Sequence, residues 1–321
     1  MQPPFNAQRR KSLQTLTSLV SGAALSSAWP LCAGAQDKPA LLTRAIPRTG
    51  EKLAVVGLGT QFVLDVGDDL DKRKVRIAMI RTLLDNGGSV IDTAPSYGPA
   101  ETQLGSMLDE MKARDRVFLS TKFRAPGREG AINETRESLR KLRTDKLDLL
   151  LRHNIGFVPK AEADTHLAVA RDWKAQGMCR YIGVTHSQDQ DKANDRLIEI
   201  MRTEKLDFIQ VNYSMAERSV EDKLLAAAAD TGTAVMCNLP FARGALFRAV
   251  QGKAVPEWAK AFDAPTWGQF FLKYLLAHPA VNVVIPGTDR VEHMLDNVAA
   301  GSTRLPTMAQ RKRMVELIGS I

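Results

Sequence analysis

Carboxylates are missing from the start of this 321-residue chain: no Asp or Glu precedes Asp37. Cysteine is almost missing too. Cys32, Cys179 and Cys237 are the three present, too few for a disulfide framework, so a hydrophobic core must hold the fold. Aromatics are 6% of the chain, and they interleave with no run of Lys and Arg, which argues against a nucleic-acid partner. No strongly apolar stretch approaches the ~20 residues needed to span a bilayer. The rest is ordinary for a globular protein: 44% apolar and 25% charged residues, at a length that buries one large core or two modest ones. The formal charge is +8, and Arg9, Arg10 and Lys11 carry three of it, leaving +5 (8 − 3) for a solvated basic surface.

The acid-free head has its own pattern. After Arg9-Arg10-Lys11 come 24 uncharged residues, Ser12–Ala35, rich in Leu, Ala and Ser and ending in Ala33-Gly34-Ala35. A basic head, a mildly apolar middle and an A-x-A end are the parts of a secretory signal. The paired arginines before Lys-Ser-Leu resemble a twin-arginine export signal. The middle, broken by Gln14, Thr15, Thr17, Ser18, Ser21 and Gly22, has the weak hydrophobicity that suits that route. Leu31 before Cys32 argues against lipoprotein processing. A disordered tail and an organelle presequence are the alternatives. The expected organisation is a cleavable signal over 1–35, a polar, proline-bearing linker over 36–50 and one domain over 51–321, in a protein exported to the periplasm. Cleavage leaves Cys179 and Cys237, expected as free, packed thiols on strands five and seven.

From Leu53 the pattern changes. LAVVGLG (Leu53–Gly59) predicts a strand. Lys72–Asn86 carries Val75, Ile77, Ile80, Leu83 and Leu84 at helical spacing and is closed by Gly87-Gly88. The alternation repeats. Further strands are predicted at SVID, VFLSTKF, LDLLLRH, YIGVT, LDFIQVN, TAVMCNL and VNVVIPG, separated by helical patterns, with helices over 291–300 and 308–318 at the end. Continuous apolar strands are those buried on both faces. Eight β/α repeats in about 250 residues indicate a (β/α)₈ TIM barrel. The runner-up, an open doubly wound sheet, is weakened because Gly57-Leu58-Gly59 does not complete a GxGxxG after the first strand.

Four groups of complementary chemistry recur along this alternation. Asp92 ends the second strand and Tyr97 follows on its loop. Lys122, 30 residues after Asp92, ends the third, and His153, 31 after Lys122, ends the fourth. One β/α unit of such a barrel is about 31 residues, so the four should meet at one rim. Singly, each has a bland reading: a structural ion pair for Asp92 and Lys122, a packed loop aromatic for Tyr97, a core histidine for His153. Together they suit polarisation of a carbonyl. The ammonium should lower the phenol's pKa from about 10, the carboxylate should keep the ammonium charged, and the imidazole should give a second hydrogen bond. Tyr97 would then be the general acid.

The segments GLGT, IDTAPSYGPAETQLG, STKF, LDLLLRH, IGVT, FIQVNYS, NLPFARGAL and VVIPGTDRVEHMLDN fall in the order of the aldo-keto reductase family, which the chain resembles over about 48–300. The resemblance implies a (β/α)₈ barrel that reduces aldehydes and ketones with NADP(H), or with NAD(H), and in which Asp92, Tyr97, Lys122 and His153 match the catalytic tetrad. It implies cofactor contacts from Gly59 and Thr60; from Gln210, as the carboxamide-binding glutamine; from Leu239, Pro240, Phe241, Arg243 and Gly244, as the pyrophosphate-facing loop; and from Gly287, Thr288 and Asn297 near the adenosine. Three positions depart from the family's pattern. Thr185-His186 replaces a usual Ser-Asn, Asn238 stands where an aromatic commonly stacks on the nicotinamide, and His293 stands where an arginine often meets the 2′-phosphate, with Arg290 nearby to compensate. No metal site is assigned. These departures motivate the alternative to a carbonyl reductase, a cofactor-binding sensor that turns over slowly, and Lys122 alone would admit Schiff-base chemistry. The resemblance implies a small carbonyl compound as substrate. Its selectivity should lie in the segment 62–70, the insertion 247–267 and the C-terminal loop, where Trp258, Phe262 and Trp267 either line an apolar pocket or pack the insertion onto the barrel.

Overall fold

The computed structural model describes residues 40–319; the export signal expected over 1–35 lies outside them. The first two strands, β1 (Thr43–Ala45) and β2 (Lys52–Ala54), form an antiparallel hairpin. The next eight are β3 (Leu58–Gly59), β4 (Val90–Asp92), β5 (Phe118–Phe123), β6 (Leu147–Arg152), β7 (Cys179–His186), β8 (Phe208–Asn212), β9 (Ala234–Asn238) and β10 (Val281–Val284). They pair in parallel and in chain order. Val56 bridges Val284, with Gly57 N–H donating to Val284 O at 2.9 Å, and this closes the sheet into a barrel. Gly57 is required there, because a Cβ would stand 2.6 Å from Val90 O.

Helices α1 (Leu70–Asp85), α2 (Ala100–Met111), α3 (Gly127–Leu142), α4 (Lys160–Ala175), α5 (Gln190–Glu204), α6 (Leu224–Thr231), the short α7 (Ala245–Ala249), α8 (Trp267–Leu276), α9 (Val291–Ala300) and α10 (Met308–Gly319) complete the chain. The (β/α)₈ barrel is therefore the fold. Local chemistry sets the helix ends. Asp69 caps α1 by accepting the backbone N–H groups of Asp71 and Lys72 at 3.1 and 2.9 Å. Cys179 on β7 and Cys237 on β9, the fifth and seventh barrel strands, are buried free thiols.

Two expectations are corrected at the barrel's N-terminal end. The linker over 36–50 is, from Thr43, the first arm of the hairpin. The strand over 53–59 is divided between that hairpin and β3. Ile46 and Leu53 leave the hairpin to join Val90, Phe118, Leu149, Tyr181 and Phe208 in the barrel interior. The hairpin is tied down by Arg44, which donates to the carbonyls of Leu276, His278 and Val281, and by Asn282 Nδ2, which donates to Ala45 O at 2.9 Å. Ile46 is fully buried, so Ile46→Ala should lower the unfolding free energy by about 2–4 kcal/mol, measured by urea denaturation, without altering a site at the other end.

Trp258, Phe262 and Trp267 pack the insertion onto the barrel, whereas Phe247 at its start lines a cavity with Phe62 and Phe241. Phe262 is fully buried, Trp258 lies 5.7 Å from Phe270 between ring centroids, and Trp267 stacks on Phe271 at 5.6 Å. Arg313 of α10 covers the outer face of Trp258 at 4.4 Å.

Candidate active site

The C-terminal strand ends converge as the spacing requires. Lys122 is fully buried on β5 and donates from Nζ to Asp92 Oδ2 at 2.5 Å and to Thr93 O at 2.8 Å. Ser120 Oγ donates to the other Asp92 oxygen at 2.8 Å. Tyr97 closes a turn that starts at Ala94, its N–H donating to Ala94 O at 3.1 Å, and this brings its ring over Lys122, 5.0 Å from Nζ to the ring centroid. His153, one residue past β6, meets Tyr97 edge-on at 6.2 Å. Its backbone N–H donates to Phe123 O at 2.9 Å, which ties it to the strand bearing Lys122.

Burial decides the protonation states. Burial pushes the Lys122 amine down, but Asp92 and then Tyr97 outweigh it, and the net direction is up: the side chain is an ammonium. Such an amine is no Schiff-base nucleophile. For Tyr97 burial is the largest influence and raises the phenol's pKa, with Lys122 opposing it only in part. Lys122 does lower that pKa as expected, but desolvation of a phenolate outweighs one nearby ammonium and the net direction is up. Burial, then Lys122 and Arg124, holds His153 down at about 3, so the imidazole is neutral at ordinary pH.

A histidine depressed this way takes up a proton more readily in the unfolded chain. Its share of stability is present above the unfolded pKa of about 6.5 and is lost as pH falls from there toward about 3. The unfolding midpoint should therefore drop between pH 6.5 and 4, and a thermal melt series should show a shallower drop in His153→Gln.

Two adjoining cavities open on this cluster. A polar one of about 260 Å³ is lined by Tyr97, His153, Thr185, Gln210 and Asn238 among others. The second, about 450 Å³, is lined by Gly59, Thr60, Pro240, Phe241, Gly244 and Gly287. Gln61, Tyr97, Asn238, Leu239 and Arg243 belong to both. The loop after β9 is strained, with Leu239, Ala242 and Arg243 all at positive φ (51°, 47° and 52°), a conformation that costs on the order of 1–3 kcal/mol per residue and concentrates at ligand sites.

The walls suit a polar cofactor. Thr60 Oγ1 and Asn238 Oδ1 are buried without a partner. Gln210 Oε1 accepts from Thr185 Oγ1 at 3.1 Å, while its amide nitrogen meets only Met236 Sδ at 3.2 Å. Buried groups of this kind on a cavity wall can hydrogen-bond to a polar ligand.

Some expected cofactor residues do not line either cavity. His186 lies on the opposite face of β7 from Thr185; its Nδ1 accepts the Gly156 N–H at 3.2 Å and its ring meets Phe157 edge-on at 4.8 Å. Thr288 and Asn297 are buried around the start of α9, with Arg290 and His293 exposed beside them. Arg290 Nη2 lies 2.8 Å from His293 Nε2. Conversely, Gln61, Ser96, Arg124, Asn154, Ser187 and Gln188 line the polar cavity but are not among the expected site residues, and all but Ser96 lie outside the recognised motifs. Five of them lie one or two residues past a strand end, and Ser96 adjoins Tyr97.

Comparison with known proteins agrees with this architecture. A model of the aldo/keto reductase family matches residues 56–315. The chain belongs to that family. The methylglyoxal reductase YeaE of Escherichia coli K12 is 31% identical over 253 residues, 77% of this chain and 85% of that one. An NADH-specific methylglyoxal reductase of the same organism is 28% identical, covering 65% of this chain and 70% of its own. Among solved structures, an aldo/keto reductase from Klebsiella pneumoniae in complex with NADP and acetate superposes with a TM-score of 0.69 at 27% identity, over 84% of this chain and 93% of that one.

Proposed function

We propose that this protein reduces an aldehyde or ketone with NADPH, or oxidises the matching alcohol, with Tyr97 as the proton donor. The observation that carries the reading is the buried Lys122–Asp92 pair set under a protonated Tyr97 and beside a neutral His153. When bound, the nicotinamide supplies a hydride to the carbonyl carbon. This chain's residues do the rest. The Tyr97 hydroxyl and a His153 N–H hold the carbonyl oxygen and stabilise its growing charge. Tyr97 releases its proton to that oxygen, and the Lys122 ammonium stabilises the phenolate left behind. Asp92, with both oxygens already bonded, keeps Lys122 charged and aimed. Thr185, Gln210 and Asn238 would hold the carboxamide end, the strained loop from Leu239 to Gly244 the pyrophosphate, and Thr288, Arg290, His293 and Asn297 the adenosine. Arg290, beside His293 and 3.4 Å from a Glu292 oxygen, would be the group to meet the 2′-phosphate of NADP(H).

The test is NADPH and NADH consumption by purified protein across a panel of aldehydes, ketones and quinones, with methylglyoxal included because two relatives bear its name. Carbonyl-dependent oxidation, faster with NADPH, is expected; none with either nucleotide would overturn the reading. We propose further that the protein is exported by the twin-arginine route, on the strength of Arg9-Arg10 and the Ala33-Gly34-Ala35 end. Mass spectrometry of protein from the periplasmic fraction should find an N-terminus at Gln36.

A further inference from the structure

The polar cavity holds a charge that the reaction itself does not use. Arg124 follows β5 directly. Along that strand Lys122 faces the barrel mouth, Phe123 turns outward against the His166 ring at 5.5 Å between centroids, and Arg124 returns to the side of Lys122. Its backbone is fixed, since Glu134 Oε2 accepts the N–H groups of both Arg124 and Ala125 at 2.6 and 2.7 Å. That carboxylate grips the peptide and not the guanidinium, which forms no ion pair or hydrogen bond among the described residues. No Asp or Glu lines the polar cavity, whose other groups beside Tyr97 are neutral donors such as Ser96 and Asn154. Arg243, the second guanidinium there, stands on the loop shared with the other cavity and so on the cofactor side. Arg124 stands on the opposite side, next to the strand that carries His153. An exposed guanidinium with no partner among the described residues, carried on an anchored backbone into a cavity that no acid lines, favours an anion.

We propose that the substrate is an oxo acid: its carboxylate binds the Arg124 guanidinium while its carbonyl oxygen lies between Tyr97 and His153. The proposal rests on the reductase reading. Hydride goes to the carbonyl carbon, the Tyr97 proton to its oxygen, the carboxylate is unchanged, and the product is a hydroxy acid. Planar, two-pronged recognition of a carboxylate is the particular strength of arginine.

The test compares two pairs of probes, glyoxylate against methylglyoxal and succinic semialdehyde against butanal, in the wild type and in Arg124→Gln and Arg124→Lys. In the wild type the acid of at least one pair should have the higher kcat/KM. Arg124→Gln should lower the acid-over-neutral ratio by about tenfold or more, mainly through KM, and Arg124→Lys should recover part of it. Added salt should erode the wild-type preference. A wild type that prefers the neutral member of both pairs, or a ratio unmoved by Arg124→Gln, would overturn the proposal. So would a rise in the KM for NADPH as the variant's only effect, which would make Arg124 a cofactor contact. In each of these cases carbonyl-dependent NADPH oxidation persists, whereas failure of the reductase reading leaves none with any probe.

Discussion

Tyr97→Phe should lower kcat for carbonyl reduction by about 10²–10⁴-fold, the range over which a positioned general acid contributes. The substitution keeps the ring that sits above Lys122 and edge-on to His153 and deletes only the hydroxyl, so NADPH affinity should be unchanged. The size of the loss follows from the site's protonation. The phenol is held in its acid form because burial raises its pKa, while the neighbouring imidazole, depressed to about 3, has no spare proton to replace it. His153 can donate a hydrogen bond but cannot serve as the acid at neutral pH. Single-turnover measurements with pre-bound NADPH isolate the chemical step, and a variant retaining wild-type kcat there would remove Tyr97 from the reaction.

Lys122→Met should damage both stability and turnover, and the two effects can be separated. The lysine is fully buried and its partner Asp92 is 2% exposed. Removing one member of such a pair leaves an uncompensated charge in the core and costs about 3–5 kcal/mol, a large part of an ordinary domain's total stability. The melting temperature should fall by on the order of 10 °C. Asp92 would keep only the Ser120 hydroxyl as donor among the described residues. Adding Asp92→Asn removes the stranded charge, so the double variant should regain much of the lost stability. It should regain no activity, because the phenolate formed on Tyr97 still lacks its counter-ion. If the double variant also recovers kcat, Lys122 acts only as a structural partner.

The barrel was readable in the chain because its strands are buried on both faces and appear as short continuous apolar runs, and because Gly and polar clusters mark the breaks between them. Asp92, Lys122 and His153 could be placed together from spacing alone, since each ends a strand and consecutive strands are neighbours. Where the reading failed, the cause was a shorter period than the pattern could carry. The hairpin strands are three residues each, and each gives the interior little more than Ile46 or Leu53. The Thr185-His186 pair was read as one unit, yet adjacent strand residues face opposite sides, so Thr185 reaches the cavity and His186 does not. The net direction of the Tyr97 shift was not legible for a different reason: a sequence shows which charges will be near a phenol, and Lys122 does lower its pKa, but not how much water will be excluded from it. Arg124 was overlooked although it stands two residues past Lys122, where strand parity returns a side chain to the same face.

The hairpin at the barrel's base has a consequence for how the chain matures. Arg44 and Asn282 sew the hairpin to residues more than 230 positions later, and the last lateral seam, Val56 to Val284, reaches almost as far. Ribosomal synthesis therefore delivers the hairpin's anchors only after more than 230 further residues. Until then Ile46 and Leu53 have an open tube to enter, with no edge to lock against. Contacts of such long range slow folding, and a nascent polypeptide ending before residue 276 should be captured by chaperones or degraded.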